Sequence, residues 1–136
     1  MVNNGEVIEW CKEPIPHEDP LYKRGPAVDI VGDTVELRTF RDQGSGMSTD
    51  WSKYSKTEQT KARATNPNWC GGVISLVAGR VRLISGLTVE HEPDRSMNNR
   101  AHTEVYGDKK SDPEVRVMLR RIFKWEIRYS KPDVNS

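Results

Sequence analysis

The chain has little of what most metal, redox and nucleophile motifs are built from. It holds two cysteines and three histidines in 136 residues. Cys11 and Cys70 form no Cys-x-x-Cys pair, and His17, His91 and His102 form no His-x-x-x-His pair. The spacings of a zinc or iron–sulfur site are therefore missing, and no metal or cofactor is expected. Two distant cysteines read as free thiols of a reducing compartment rather than as a disulfide. Long apolar runs are missing too, since none approaches the roughly 20 residues of a membrane helix. The opening Met1-Val2-Asn3-Asn4-Gly5-Glu6 lacks the basic start and apolar core of an export signal. A cytoplasmic protein with no membrane partner is the expectation. Charge of one sign is not in excess either: 21 Lys and Arg against 20 Asp and Glu leave a formal charge of +1. That balance gives no global case for a nucleic-acid partner.

What is present suffices for a core. The chain is 35% hydrophobic, with four Trp and four Tyr, and its length suits a single domain over residues 1–136. Residues 1–20 read as an extended N-terminal arm, with a short β-like run at Val7-Ile8-Glu9-Trp10 and then Pro14, Pro16 and Pro20. Proline cannot donate to a ladder, so that arm is expected to lie over the surface. Leu21 to Arg24 reads as a brief strand. Ala27–Val31 and Thr34–Phe40 flank Gly32-Asp33 and predict a hairpin. Asp42 to Gly46 is a small-residue turn. Such a loop can cradle phosphate, but Gly-Lys-Ser/Thr is absent and a plain turn is the stronger reading. Ser55-x-x-Glu58 predicts a capped helix from Lys56 to about Ala64, stopped by Asn66-Pro67.

Val73 to Val77 reads as a buried strand. Residues 77–84 fit either a return strand or a short helix, because short apolar runs are not separated by periodicity. Leu87–His91 and Ala101–Tyr106 read as strands on either side of a polar loop at Asp94–Asn99. At the C-terminal end, Ser111-Asp112-Pro113-Glu114 carries a helix start, and Val115, Met118, Leu119 and Ile122 recur at helical spacing. Phe123 and Trp125 broaden that stripe, so a helix over about 112–127 is predicted, with residues 130–136 as a frayed tail. Arg116, Arg120 and Lys124 would then share its solvated face. The fold class expected is α+β: a small antiparallel or mixed sheet with the C-terminal amphipathic helix packed on it.

The densest cluster of chemically able groups is Asn99-Arg100-Ala101-His102-Thr103-Glu104. On a strand, His102 and Glu104 project to one face, and a carboxylate beside an imidazole makes a usable acid–base pair. The competing reading is a polar sheet face with an ordinary hydrogen bond. His102-Thr103 does not carry the His-x-Ser/Thr element of the two-histidine phosphoesterases, and Ser48 lacks the Gly-x-Ser-x-Gly elbow of a serine hydrolase.

Five segments taken together carry a resemblance: Thr39-Phe40-Arg41-Asp42, Gly46 to Asp50, Gly72 to Arg82, Val89 to Pro93, and Asn99 to Gly107. Over roughly residues 20–110 they resemble small bacterial proteins with Phe-Arg, Met-Ser, Ala-Gly-x-Val-Arg and Ala-His-x-x-Val-x-Gly elements in this order. That group has no established activity, so the resemblance implies bacterial origin and a candidate site only. A fainter similarity is to ADP-ribosyltransferase-like folds, which place an Arg or His on an early strand, a Ser-Thr element on a middle strand and a Glu late. Arg24, Ser48-Thr49 and Glu104 occur in that order, though the usual Ser-Thr-Ser is Ser48-Thr49-Asp50 here. Two functions follow as expectations. The first, which leads because no complete catalytic set is legible, is a bacterial binding or interaction protein, accessory to a toxin or defence system. The other is a small enzyme acting on a nucleotide or ADP-ribose-like substrate through Arg24, Ser48, His102 and Glu104.

Overall fold

The alternation Leu21, Lys23, Gly25 against Tyr22, Arg24, Pro26 organises the centre of the molecule. In the computed structural model, which describes residues 10–129, these residues form strand β1 (Pro20–Pro26), with Leu21, Lys23 and Gly25 buried. The run at residues 7–9 and the tail at residues 130–136 lie outside the described residues. A turn of 3-10 helix at Ala27–Asp29 leads to β2 (Ile30–Val31) and β3 (Thr34–Val35), and a second such turn spans Leu37–Thr39. Then come β4 (Met47–Trp51), α1 (Thr57–Ala62), β5 (Gly71–Val77), α2 (Ala78–Arg82), β6 (Thr88–His91), β7 (His102–Tyr106), α3 (Pro113–Ile122) and β8 (Lys124–Ile127).

The main sheet has six strands in the order β6-β7-β4-β1-β5-β8, every pair antiparallel. One face carries Leu21, Met47, Trp51, Ile74, Leu76, Val89 and Val105, which pack with Ala78 and Val81 of α2 and Val115 and Leu119 of α3. The other face is polar. Register runs His102 beside Asp50, Asp50 beside Tyr22 and Tyr22 beside Ser75, a row across four strands. The α+β expectation, with a C-terminal helix packed on a sheet, holds.

Several boundaries differ, each for a local reason. The hairpin around Gly32-Asp33 is present, but its strands are two residues long and, among the described residues, pair only with each other. Gly32 supplies the positive φ of its turn at +57°. Residues 37–39 then turn as 3-10 helix, which lets Thr39 reach the Asp29 carboxylate. Residues 77–84 are mainly helix rather than a return strand. The Ser55 cap is replaced by a neighbour: the Gln59 side chain accepts the Lys56 N–H at 2.7 Å, while Ser55 bonds Thr60 at 2.8 Å. Asp112, not Ser111, caps α3, accepting the Glu114 N–H at 3.0 Å.

The largest correction lies at the end of α3. The helix stops at Ile122, Phe123 is extended, and Lys124–Ile127 form an edge strand on β5. Phe123, Trp125, Ile127 and Tyr129 alternate with Lys124, Glu126 and Arg128, a two-residue period that outweighs the helical one. Lys124 therefore leaves the helix, and the stripe drawn through Arg116, Arg120 and Lys124 is broken.

Candidate functional site

The two edges of β1 are unlike. Against β5 all seven residues from Pro20 to Pro26 are paired, but against β4 only Leu21 and Tyr22 are. Beyond Tyr22 the two strands part, and a cleft of about 540 Å³ lies along the seam. Its walls take Arg24 and Tyr22 from β1, Ser48 and Asp50 from β4, and His102 from β7, all on the polar face of the sheet. Lys23 and Thr49, which start from the opposite face, also line it, together with Asp29, Thr39 and Arg41. Trp69 and Asn66, from the loop after α1, close the outer side, and Asp94, Met97 and Asn99 close the end near His102.

Three of the four residues singled out in the sequence thus line one cleft. His102 sits opposite Asp50, and its Nε2 lies 3.4 Å from Glu104 Oε1. Glu104 stands directly behind the cleft wall, opposite Ser48 on one side and Glu90 on the other. Its second oxygen, Oε2, is buried with no hydrogen-bond partner among the described residues. Gly46 leaves room for that carboxylate: a Cβ there would stand 3.1 Å from Oε2 and 3.0 Å from the Tyr106 ring. The Ser48 N–H is taken by Gln43 Oε1 at 3.2 Å, and the loop closes on itself through Gln43 N–H to Gly46 C=O at 2.9 Å. A phosphate cradle in this loop is therefore not available through the Ser48 N–H, and the plain-turn reading fits.

The polar framework is held from below. Asp50 accepts from Asn99 Nδ2 at 2.8 Å and from Arg63 at 2.9 Å, and Arg63 also donates to Ser55 at 2.7 Å. Arg24 donates to the Thr60 carbonyl at 2.9 Å and is in part desolvated, which lowers its pKa. Asp29 is buried beneath Arg38 at 2.6 Å, Thr39 and Arg41 at 3.5 Å. Near His102 the chain reverses through Asp94–Asn99, with Asn98 in the left-handed region at φ 52°, a conformation asparagine tolerates. Hydrogen bonds from the Ser96 hydroxyl and the Met97 N–H hold the Asp94 carboxyl below its usual range.

Lys23 had no signal of function in the sequence beyond its place between Leu21 and Gly25. It is only 5% exposed, and among the described residues it has no ion pair or hydrogen bond. Burial, followed by the Arg41 and Arg24 charges, brings its pKa down to about 8. Arg41, Asp50, Arg63 and Trp69 were also missed, because tertiary packing of β4, the end of α1 and two loops rather than sequence spacing brings them together.

The other histidines are used structurally. His91 pairs with Thr103 and so faces away from His102. Its ring accepts the Glu13 N–H at 3.0 Å, reaches the Arg100 carbonyl at 2.7 Å and stacks on Tyr54. His17 bonds Arg82. Among the described residues no group of three His, Cys, Asp or Glu is arranged to hold a metal. Cys11 and Cys70 are free and exposed, and among the described residues no helix is long and apolar enough to cross a membrane.

No family model, curated protein or solved structure matches the chain. The site is therefore defined by its own chemistry: a cleft in a split sheet, lined by Lys23, Arg24, Arg41 and Arg63 against Asp29, Asp50 and Asp94, with an imidazole–carboxylate pair at one end.

Proposed function

We propose that the chain is a small enzyme that takes a nucleotide or ADP-ribose-like ligand in this cleft. The observation that carries the reading is that Arg24, Ser48 and His102, drawn from three strands, line one concavity with Glu104 immediately behind the imidazole. A His–Glu pair on an open sheet has nothing to hold a substrate; a cleft of this size does. His102 serves as the acid–base group, oriented by Glu104. The cations Arg24 and Arg41 favour a phosphate-bearing ligand. Tyr22 and Trp69 offer ring faces for a base, and the Ser48 hydroxyl is free among the described residues to bond a ligand hydroxyl.

The test is to incubate the protein with ADP-ribose and with ADP and to analyse the products by mass spectrometry. Turnover of one of them that disappears in His102→Ala, while calorimetry still shows the ligand bound, is the expected result. Absence of both binding and turnover for every nucleotide tried sinks the reading.

The other reading, a protein that binds a partner protein, draws on a different surface. Val28, in the 3-10 turn, and Val31, in the small hairpin that follows it, are 73% and 52% exposed. Retention of a partner by the native protein and its loss in Val28→Asp, with no nucleotide effect, would favour it.

A further inference from the structure

We propose that Lys23 and Arg41 form an oxyanion subsite in the seam between β1 and β4, and that the subsite receives the phosphate of the ligand. This rests on the cleft being a ligand site and names the group that its inner end recognises.

The argument starts from what is unusual about Lys23. A lysine on the apolar side of a central strand is expected to be paired, because an ammonium out of water is costly. Lys23 lines the cleft, is 5% exposed and has neither hydrogen bond nor ion pair among the described residues. The nearest anions do not answer it. Asp29 is already bonded by Arg38, Thr39 and Arg41, and the Glu104 carboxylate is turned to His102. The groups acting on the ammonium are Arg24 on its own strand, Asp29 after that strand, Arg41 on the loop before β4, and Glu104 on β7. Two cations act on it, and both, Arg24 and Arg41, line the cleft with it. A doubly charged oxyanion placed among Lys23, Arg41 and Arg24 would give the ammonium the acceptors it lacks.

The backbone supports the same place. From Lys23 to Pro26, β1 has no ladder with β4, whereas the same residues are fully paired to β5. The gap lies where the strand carries its two consecutive cations. An open pairing edge thus lies beside a lysine that has no hydrogen bond or ion pair among the described residues, and a bound ion is one of the explanations such a group calls for.

The subsite has a consequence for protons. The Lys23 amine, with its pKa brought to about 8, is only part charged in mildly alkaline solution. An oxyanion favours the charged form, so binding raises that pKa and takes up a proton above pH 8. Affinity is then full below about pH 8 and falls as the free site loses its proton, approaching tenfold per pH unit.

The test uses sulfate, a tetrahedral dianion whose charge is constant over this range, followed by amide chemical shifts on the full chain. The expected result is a saturable shift at Lys23–Gly25 and Met47–Asp50 at pH 7. It should weaken above pH 8 and be lost in Lys23→Met, a variant that melts above the parent protein because an unpaired buried charge has gone. Unchanged sulfate affinity in Lys23→Met, or no saturable shift at the seam in the parent, overturns the subsite. ADP separates the two claims. Displacement of sulfate by ADP supports both, and sulfate binding that ADP leaves untouched keeps the subsite but removes the nucleotide reading. ADP binding indifferent to Lys23→Met does the reverse.

Discussion

The two sides of strand β1 are built from the same seven residues and do opposite things. Toward β5 they make a continuous ladder, and the side chains above it, Leu21, Ile74 and Leu76, belong to the core with α2 and α3. Toward β4 the ladder ends after two pairs, and the side chains at the break are Lys23, Arg24, Ser48 and Thr49. The closed seam is complete; the open seam leaves Lys23 without a hydrogen bond or ion pair among the described residues, and behind its wall Glu104 Oε2 is buried with no partner among them. Under the proposed function, stability and recognition are carried by different edges of one strand. The closed seam over-determines the fold, and that lets the open one hold an arrangement unfavourable in itself.

The sharpest way to break the comparison is on the closed side. Leu119 of α3 is fully buried in the shared core. Leu119→Ala should lower unfolding free energy by about 2–5 kcal/mol in a urea titration. A loss under about 0.5 kcal/mol would mean that α3 does not complete that core.

On the open side the sign should reverse. Lys23→Met removes a charge whose pKa in the fold is about 8 against an ordinary 10.5. Protonation then favours the unfolded chain, so at pH 7 the variant should be more stable, by on the order of 3 kcal/mol at most. The gain should be full below pH 8 and shrink as pH rises toward 10.5, where the unfolded lysine also loses its proton. A variant less stable than the parent at pH 7 would mean that Lys23 is held by favourable contacts and that the seam is not strained.

Gly46→Ala should have a smaller effect. The added Cβ would press on Tyr106 at 3.0 Å and Glu104 Oε2 at 3.1 Å, and both are side-chain atoms that can yield. A loss of about 1 kcal/mol by thermal melting fits overpacking at a compliant site. No change at all would place the Glu104 carboxylate away from the loop.

The smallest effect is expected at α3's outer side. With the stripe broken at Ile122 and a net charge of +1, Arg120→Ala should leave nucleic-acid binding at the background level. Binding that is salt-sensitive at physiological ionic strength and abolished by Arg120→Ala would make that side, not the cleft, the functional surface.

The contrast also explains what the sequence could disclose. The C-terminal amphipathic helix was legible because Val115 and Leu119 recur at its period, and its start because Asp112-Pro113 is a local signal. Its end was misjudged, since Phe123 and Trp125 fit a helical stripe as well as the alternation that sets β8. Strand β4 was hidden by its polar residues: Ser48, Thr49 and Asp50 do not look like a central strand until Met47, Thr49 and Trp51 are seen to share the inward face. The His102–Glu104 pair was visible because a two-residue spacing on a strand is local. The cleft around it was not, because Lys23, Asp50 and Asn99 meet only through pairing across β1, β4 and β7. Buried charge at Lys23 is a tertiary fact that spacing along one chain does not encode.

The account turns on the claim that the open seam is a ligand site and not a defect of packing. The most direct measurement is calorimetric titration of ADP-ribose at pH 7 into the parent protein, His102→Ala and Lys23→Met. The account predicts saturable one-to-one binding by the parent, binding retained in His102→Ala, and binding weakened at least tenfold, about 1.4 kcal/mol, in Lys23→Met. Equal heats for all three proteins, or none for the parent, would contradict it.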